Sequence, residues 1–143
     1  MPSKNVGKPQ ARPAPTAPET TRLPLLIVDD EPPILELLQE TLADAGYMVL
    51  TASNGREALA IAQLRPLALV LTDVMMPHMD GNQLCERLRA DPHTQHLPIL
   101  LMTATRYGLL TDMATATIAK PFDLDALVTF VRRYYPGSDE RSV

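Results

Sequence analysis

The sequence predicts an α/β domain in which five parallel strands carry helices on both faces of the sheet. Short apolar runs alternate with helix-period segments five times within about 110 residues, the signature of repeated strand–helix units. Three of the runs are nearly continuous in apolar residues, as strands buried on both faces require. No internal repeat and no second domain interrupts the pattern.

Taken in order, the strands are "LLIVD" (residues 25–29), "YMVLTAS" (47–53), "LALVLTD" (67–73), "LPILLMT" (97–103) and "TATIAK" (115–120). Ile34, Leu38 and Leu42 repeat at helical spacing after the first strand, and Ala58, Ile61 and Ala62 after the second. Leu84 and Leu88 mark a third helix; Leu124, Leu127, Val128 and Val131 mark one after the fifth strand. Gly46 is placed to cap the first helix, and Asn54-Gly55 to form the turn that opens the second. Asp80 reads as a turn residue, His93 and His96 as surface residues, and Cys85 and the methionines as core fillers. The first 24 residues hold six prolines and little apolar bulk, which predicts a disordered tail over 1–24, a folded domain over 25–135 and a flexible end over 136–143.

Charge and composition exclude several function classes. The first 24 residues carry a balance of +3, so the remainder holds −7 of a total of −4, a poor match to a phosphate backbone. No nucleic-acid partner is expected. No apolar run reaches the roughly 18 residues of a membrane span, the N-terminus has no signal-peptide core, and one cysteine cannot form an internal disulfide. A cytoplasmic protein without a membrane partner is the expectation.

Polar residues gather where apolar runs end. The first strand ends in Asp29, Asp30 and Glu31, the third in Asp73, the fourth in Thr103 and the fifth in Lys120. In an open α/β sheet the carboxyl ends of the strands form the ligand crevice, so residues ninety positions apart converge on one site. Carboxylates about 4 Å apart repel by roughly 4 kcal/mol at an effective dielectric near 20. Lys120, the single lysine beyond the first 24 residues, cannot offset them all. A hard divalent cation can, and Mg²⁺ suits oxygen ligands. Such a site, with a lysine and a hydroxyl beside it, is built to receive a phosphoryl group.

"LLIVDDEPPIL", "LVLTDVMMPHMDGNQLCERLR", "LPILLMTA" and "TIAKPF" together resemble the receiver domain of bacterial response regulators over about residues 25–135. The resemblance implies a flavodoxin-like, doubly wound sheet of order 2-1-3-4-5. It implies that Asp73 is the phosphoacceptor, served by a sensor histidine kinase or a histidine phosphotransfer protein. Asp29, Asp30, Asp73 and the backbone carbonyl of Met75 would hold Mg²⁺, Thr103 would bond the phosphoryl oxygen, and Lys120 would pair with Asp73 and then with that group. Pro77 and Gly81 would shape the loop. The protein would be a regulatory phosphoacceptor, not an enzyme beyond its own phosphorylation and dephosphorylation, acting on an unknown downstream protein.

Two departures from the family pattern lie close together. Thr117 stands where receivers carry a reporting Tyr or Phe; Tyr107 is the nearest aromatic candidate to substitute for it. Only ten residues, 105–114, separate the fourth and fifth strands, and Gly108 falls among them. A parallel crossover needs at least about ten to twelve residues. The fourth crossover helix is therefore expected to be shortened, distorted or missing. Neither Met75 nor Thr105 is an acid or amide of the kind that positions water, which predicts slow self-dephosphorylation. The chain ends at Val143, which gives the expectation of a stand-alone receiver. Two alternatives stand beside it: a receiver-like interaction module acting without phosphorylation, and a Mg²⁺-dependent aspartyl-phosphate phosphohydrolase, which Met75 disfavours because such enzymes carry a second Asp at that position.

Overall fold

The computed structural model describes residues 22–104 and 111–137. Strands β1 (Leu25–Val28), β2 (Val49–Ala52), β3 (Leu69–Asp73), β4 (Ile99–Thr103) and β5 (Ala116–Ala119) alternate with helices α1 (Pro32–Asp44), α2 (Gly55–Leu64) and α3 (Gly81–Ala90), and α4 (Leu124–Tyr134) follows β5. All pairings are parallel and the strand order is β2-β1-β3-β4-β5. The flavodoxin-like, doubly wound order is the predicted one.

Burial explains why the apolar runs differ in length. Every residue of β1, β3 and β4 is buried, whereas the edge strand β5 alternates between half-buried and exposed. Side chains alternate across the pleat, so each inner strand feeds two core layers. Leu26, Val28, Val70, Ile99 and Leu101 pack with Ala58, Ala62, Leu84, Cys85 and Leu88 of α2 and α3. Leu25, Ile27, Leu69, Leu71, Leu100 and Met102 pack on the other face with Leu38, Leu42, Leu127 and Val131 of α1 and α4.

Helix ends are specified locally. α1 opens on Pro32 and Pro33, which lack N–H groups that a first turn would leave unpaired anyway. It closes on Gly46 at φ +105°, where the Tyr47 amide donates to Leu42 O (3.1 Å) and the Gly46 amide to Ala43 O (3.0 Å). Asn54 caps α2 by accepting from the Glu57 amide at 2.8 Å, and Asp123 caps α4 through the Ala126 amide at 2.7 Å. Asp80 is more than a turn residue. It caps α3 by accepting from the Gln83 amide (2.8 Å), while Gln83 Oε1 accepts from the Asp80 amide (3.0 Å).

Other expectations change. Residues 23 and 24, expected in the tail, pack on the domain: Pro24 is buried, its carbonyl accepts from the Ala68 amide (2.8 Å), and the Tyr135 hydroxyl donates to Leu23 O. Met76 and Met102 fill the core, but Met48, Met75 and Met113 are exposed, because thioethers tolerate either environment. Between β4 and β5, the described residues 104 and 111–115 form no helix; the rest of that crossover, with Thr105, Tyr107 and Gly108, lies outside the described residues. So do residues 1–21 and 138–143, which hold most of the expected tails. No described helix is long and apolar enough to cross a membrane.

Removing the α3 cap tests this account. Asp80→Ala should lower unfolding free energy by about 1 kcal/mol, read as a lower urea midpoint at unchanged slope.

Candidate functional site

Five charged or hydroxyl-bearing residues meet at the carboxyl end of the sheet because their strands end there together. Asp29 and Asp30 follow β1, Asp73 and Thr103 close β3 and β4, and Lys120 follows β5. Register places Asp73 opposite Met102 and Thr103 opposite Ala119, so neighbouring strands deliver their last residues to one level. The Lys120 amide donates to Thr103 O at 2.8 Å, fixing the lysine's backbone against β4. The Lys120–Pro121 peptide is cis.

Asp29, Asp30 and Asp73 each offer a carboxylate oxygen, and these oxygens lie within 4.8 Å of one another; among the described residues this is the one such acidic group. Asp29 is 1% exposed and Asp73 6%, while Asp30 is more open. Lys120 Nζ donates to Asp73 Oδ1 at 3.2 Å. Thr103, also 6% exposed, stands at the same strand ends. Glu31 points to solvent and its side chain caps nothing, so it stands apart from the cluster.

Asp29 is the constrained member. Its Oδ1 accepts from the Glu31 amide at 2.9 Å, whereas its Oδ2 is buried with no hydrogen-bond partner. Burial pushes its carboxyl above the usual range, the Glu31 amide opposes this, and the nearby Asp73 charge raises it further. A buried carboxylate oxygen without a partner is costly. An oxygen-seeking cation fits that donor set: all ligands on offer are carboxylates or carbonyls, and the orphaned Oδ2 belongs to one of them.

The loop after Asp73 is held by tight backbone contacts. A Cβ at Gly81 would meet Asp73 O at 2.5 Å and Val74 Cα at 2.9 Å, both backbone atoms that cannot swing aside. The Gly81 amide donates to Val74 O at 2.9 Å. His78 sits at φ +69° at the centre of a γ-turn closed by the Met79 amide on Pro77 O (2.7 Å), a strained geometry for a non-glycine residue. Met75 is 65% exposed at the start of this loop. Thr117 lies on β5 opposite Leu101 with its side chain exposed. Sequence reading passed over Asn82 and Arg89, both of which bond the segment before β5. No spacing rule marks a helix residue that will bond a loop 24 to 29 positions away.

Replacing Asp30 with Asn should leave the metal-free protein as stable as wild type or more so, because one source of repulsion on Asp29 is gone. The same change should abolish Mg²⁺ binding measured by calorimetry; marked destabilisation without metal would contradict the repulsion account. Gly81→Ala should cost about 1–3 kcal/mol by overpacking against the Asp73 carbonyl, read by thermal or urea unfolding.

A model of the response regulator receiver domain matches residues 25–132. The chain is 40% identical over 116 residues to response regulator Rre1 of Synechocystis, covering 76% of this chain and 49% of that protein. It is 38% identical over 123 residues to the DNA-binding regulator RpaA of the same organism, covering 80% of this chain and 50% of that one. The chain thus spans about half the length of these curated relatives. Among solved structures, the chemotaxis response regulator CheY4 of Vibrio cholerae superposes with a TM-score of 0.73 at 34% identity, covering 80% of this chain and 99% of that one. The response regulator TrrA of Thermotoga maritima, solved in complex with Mg²⁺-BeF, gives 0.71 at 35% identity, covering 78% and 98%. The strand order, the strand-end carboxylates and these matches make one statement: the chain belongs to the response regulator receiver domain family.

Proposed function

We propose that this receiver domain accepts a phosphoryl group on Asp73 from a phosphohistidine of a sensor histidine kinase or histidine phosphotransfer protein, and passes the signal to a downstream protein by contact. The observation that carries the reading is the juxtaposition of three carboxylates with Lys120 Nζ 3.2 Å from Asp73. In the transfer, an Asp73 carboxylate oxygen attacks phosphorus, the P–N bond to the donor imidazole breaks as the P–O bond forms, and the imidazole leaves with its electron pair and takes a proton. Asp29, Asp30, Asp73 and the Met75 carbonyl would hold Mg²⁺, which when bound offsets charge on the phosphoryl oxygens. Lys120 supplies a compact fixed cation, already paired with the acceptor carboxylate, that can shift to the group Asp73 receives. The Thr103 hydroxyl donates to one of its oxygens.

Family membership and the site's geometry support this reading, and a cytoplasmic setting accords with the donor. Incubation with acetyl phosphate and Mg²⁺ followed by intact-mass measurement should show one added phosphoryl group. The gain should vanish in Asp73→Asn and on chelation of the metal. A protein that gains no mass, or gains it without Asp73, is not a phosphoacceptor of this kind.

A further inference from the structure

Residues 111–115, which lead into β5, are fastened to α3 by a set of side-chain hydrogen bonds. The Thr111 amide donates to Asn82 Oδ1 at 2.9 Å, and the Met113 amide to Thr111 Oγ1 at 3.1 Å. Arg89 Nε donates to Met113 O at 2.9 Å, and its Nη2 to Thr115 Oγ1 at 3.2 Å. The remaining nitrogen of the same guanidinium, Nη1, donates to Gln95 O (2.9 Å) and Leu97 O (2.6 Å), which anchors the arginine itself. Thr115 is joined to β4 as well: its amide donates to Ile99 O at 2.8 Å and its Oγ1 accepts from the Ile99 amide at 2.9 Å.

Both anchors sit on α3, seven residues apart, and thus about two turns along one face. Asn82 directly follows Gly81, whose missing Cβ lets α3 press on the Asp73 carbonyl. At the other end, residue 115 feeds β5, and β5 delivers Lys120 to Asp73. The segment therefore joins the two arms of the site, the loop after Asp73 and the strand before Lys120, by a route separate from their direct ion pair.

We propose that residues 111–115 are a latch on α3, held by Asn82 and Arg89, that couples the state of Asp73 to the entry of β5 in place of an aromatic side chain at position 117. The proposal rests on phosphoryl acceptance at Asp73. A change in the Asp73 loop displaces the first turn of α3, and Asn82 carries it to Thr111. Thr117 has only a short exposed side chain with which to report anything.

Amide hydrogen exchange tests the latch, because the amides of residues 111, 113 and 115 each donate one of the bonds described. Exchange is measured on the full chain with and without Mg²⁺ and beryllium fluoride, with acetyl phosphate loading followed by intact mass in parallel. Wild type should change its exchange at these amides by roughly fivefold or more, the lower range of ordinary site-to-site coupling. Asn82→Ala should load phosphate as wild type does but lose the response at residues 113 and 115, and Asn82→Asp, which keeps an acceptor oxygen, should restore it. Full loading with unchanged exchange in wild type overturns the latch and leaves the phosphoacceptor reading intact. A response that survives Asn82→Ala also overturns it. Absence of any mass gain overturns the phosphoacceptor reading and the latch together.

Discussion

Three carboxylates held within 4.8 Å of one another, with one lysine against them, set the terms for the rest of this fold. The cluster keeps an excess of negative charge after Lys120 is counted, and Asp29 keeps a buried oxygen with no partner. Such an arrangement persists only where surrounding structure outweighs its cost. Here that structure is the inner sheet, whose three central strands are buried from end to end and cannot splay to let the charges separate. The sheet holds the charges together, and the charges give the crevice a field that favours cations.

The same logic reaches the loops. Gly81 is a steric requirement of the Asp73 carbonyl, and Asp80 with Gln83 caps the start of the helix that begins there. Asp73, its loop and the first turn of α3 are therefore in direct backbone contact. The segment before β5 lies against that helix. A domain with a short crossover and a threonine at position 117 thus retains a physical connection between its site and its edge strand.

Much of this was legible in the sequence, for identifiable reasons. β1, β3 and β4 read as strands because burial on both faces keeps them almost wholly apolar up to their carboxyl ends. Asp29, Asp30, Asp73, Thr103 and Lys120 stood out because polar groups that end apolar runs are conspicuous. The capping box of Asp80 and Gln83 read as a turn, although an Asp followed three residues later by Gln ahead of Leu84 is its ordinary signal. The clasp of Leu23 by the Tyr135 hydroxyl was not legible, because it joins residues 112 apart through a backbone carbonyl that every residue carries. The bonds from Arg89 were hidden likewise: most of their acceptors are main-chain oxygens.

Cys85 is the chain's single cysteine, and it lies wholly buried on the core-facing side of α3, where desolvation raises its thiol pKa. The folded protein accordingly presents no native thiolate to a labelling reagent. A cysteine placed at an exposed position such as 113 or 56 would be the one reactive thiol on the molecule. Two such positions could carry a distance probe across the sheet without first removing a native residue from the core. The packing that keeps Cys85 chemically silent leaves the surface open to single-site chemistry.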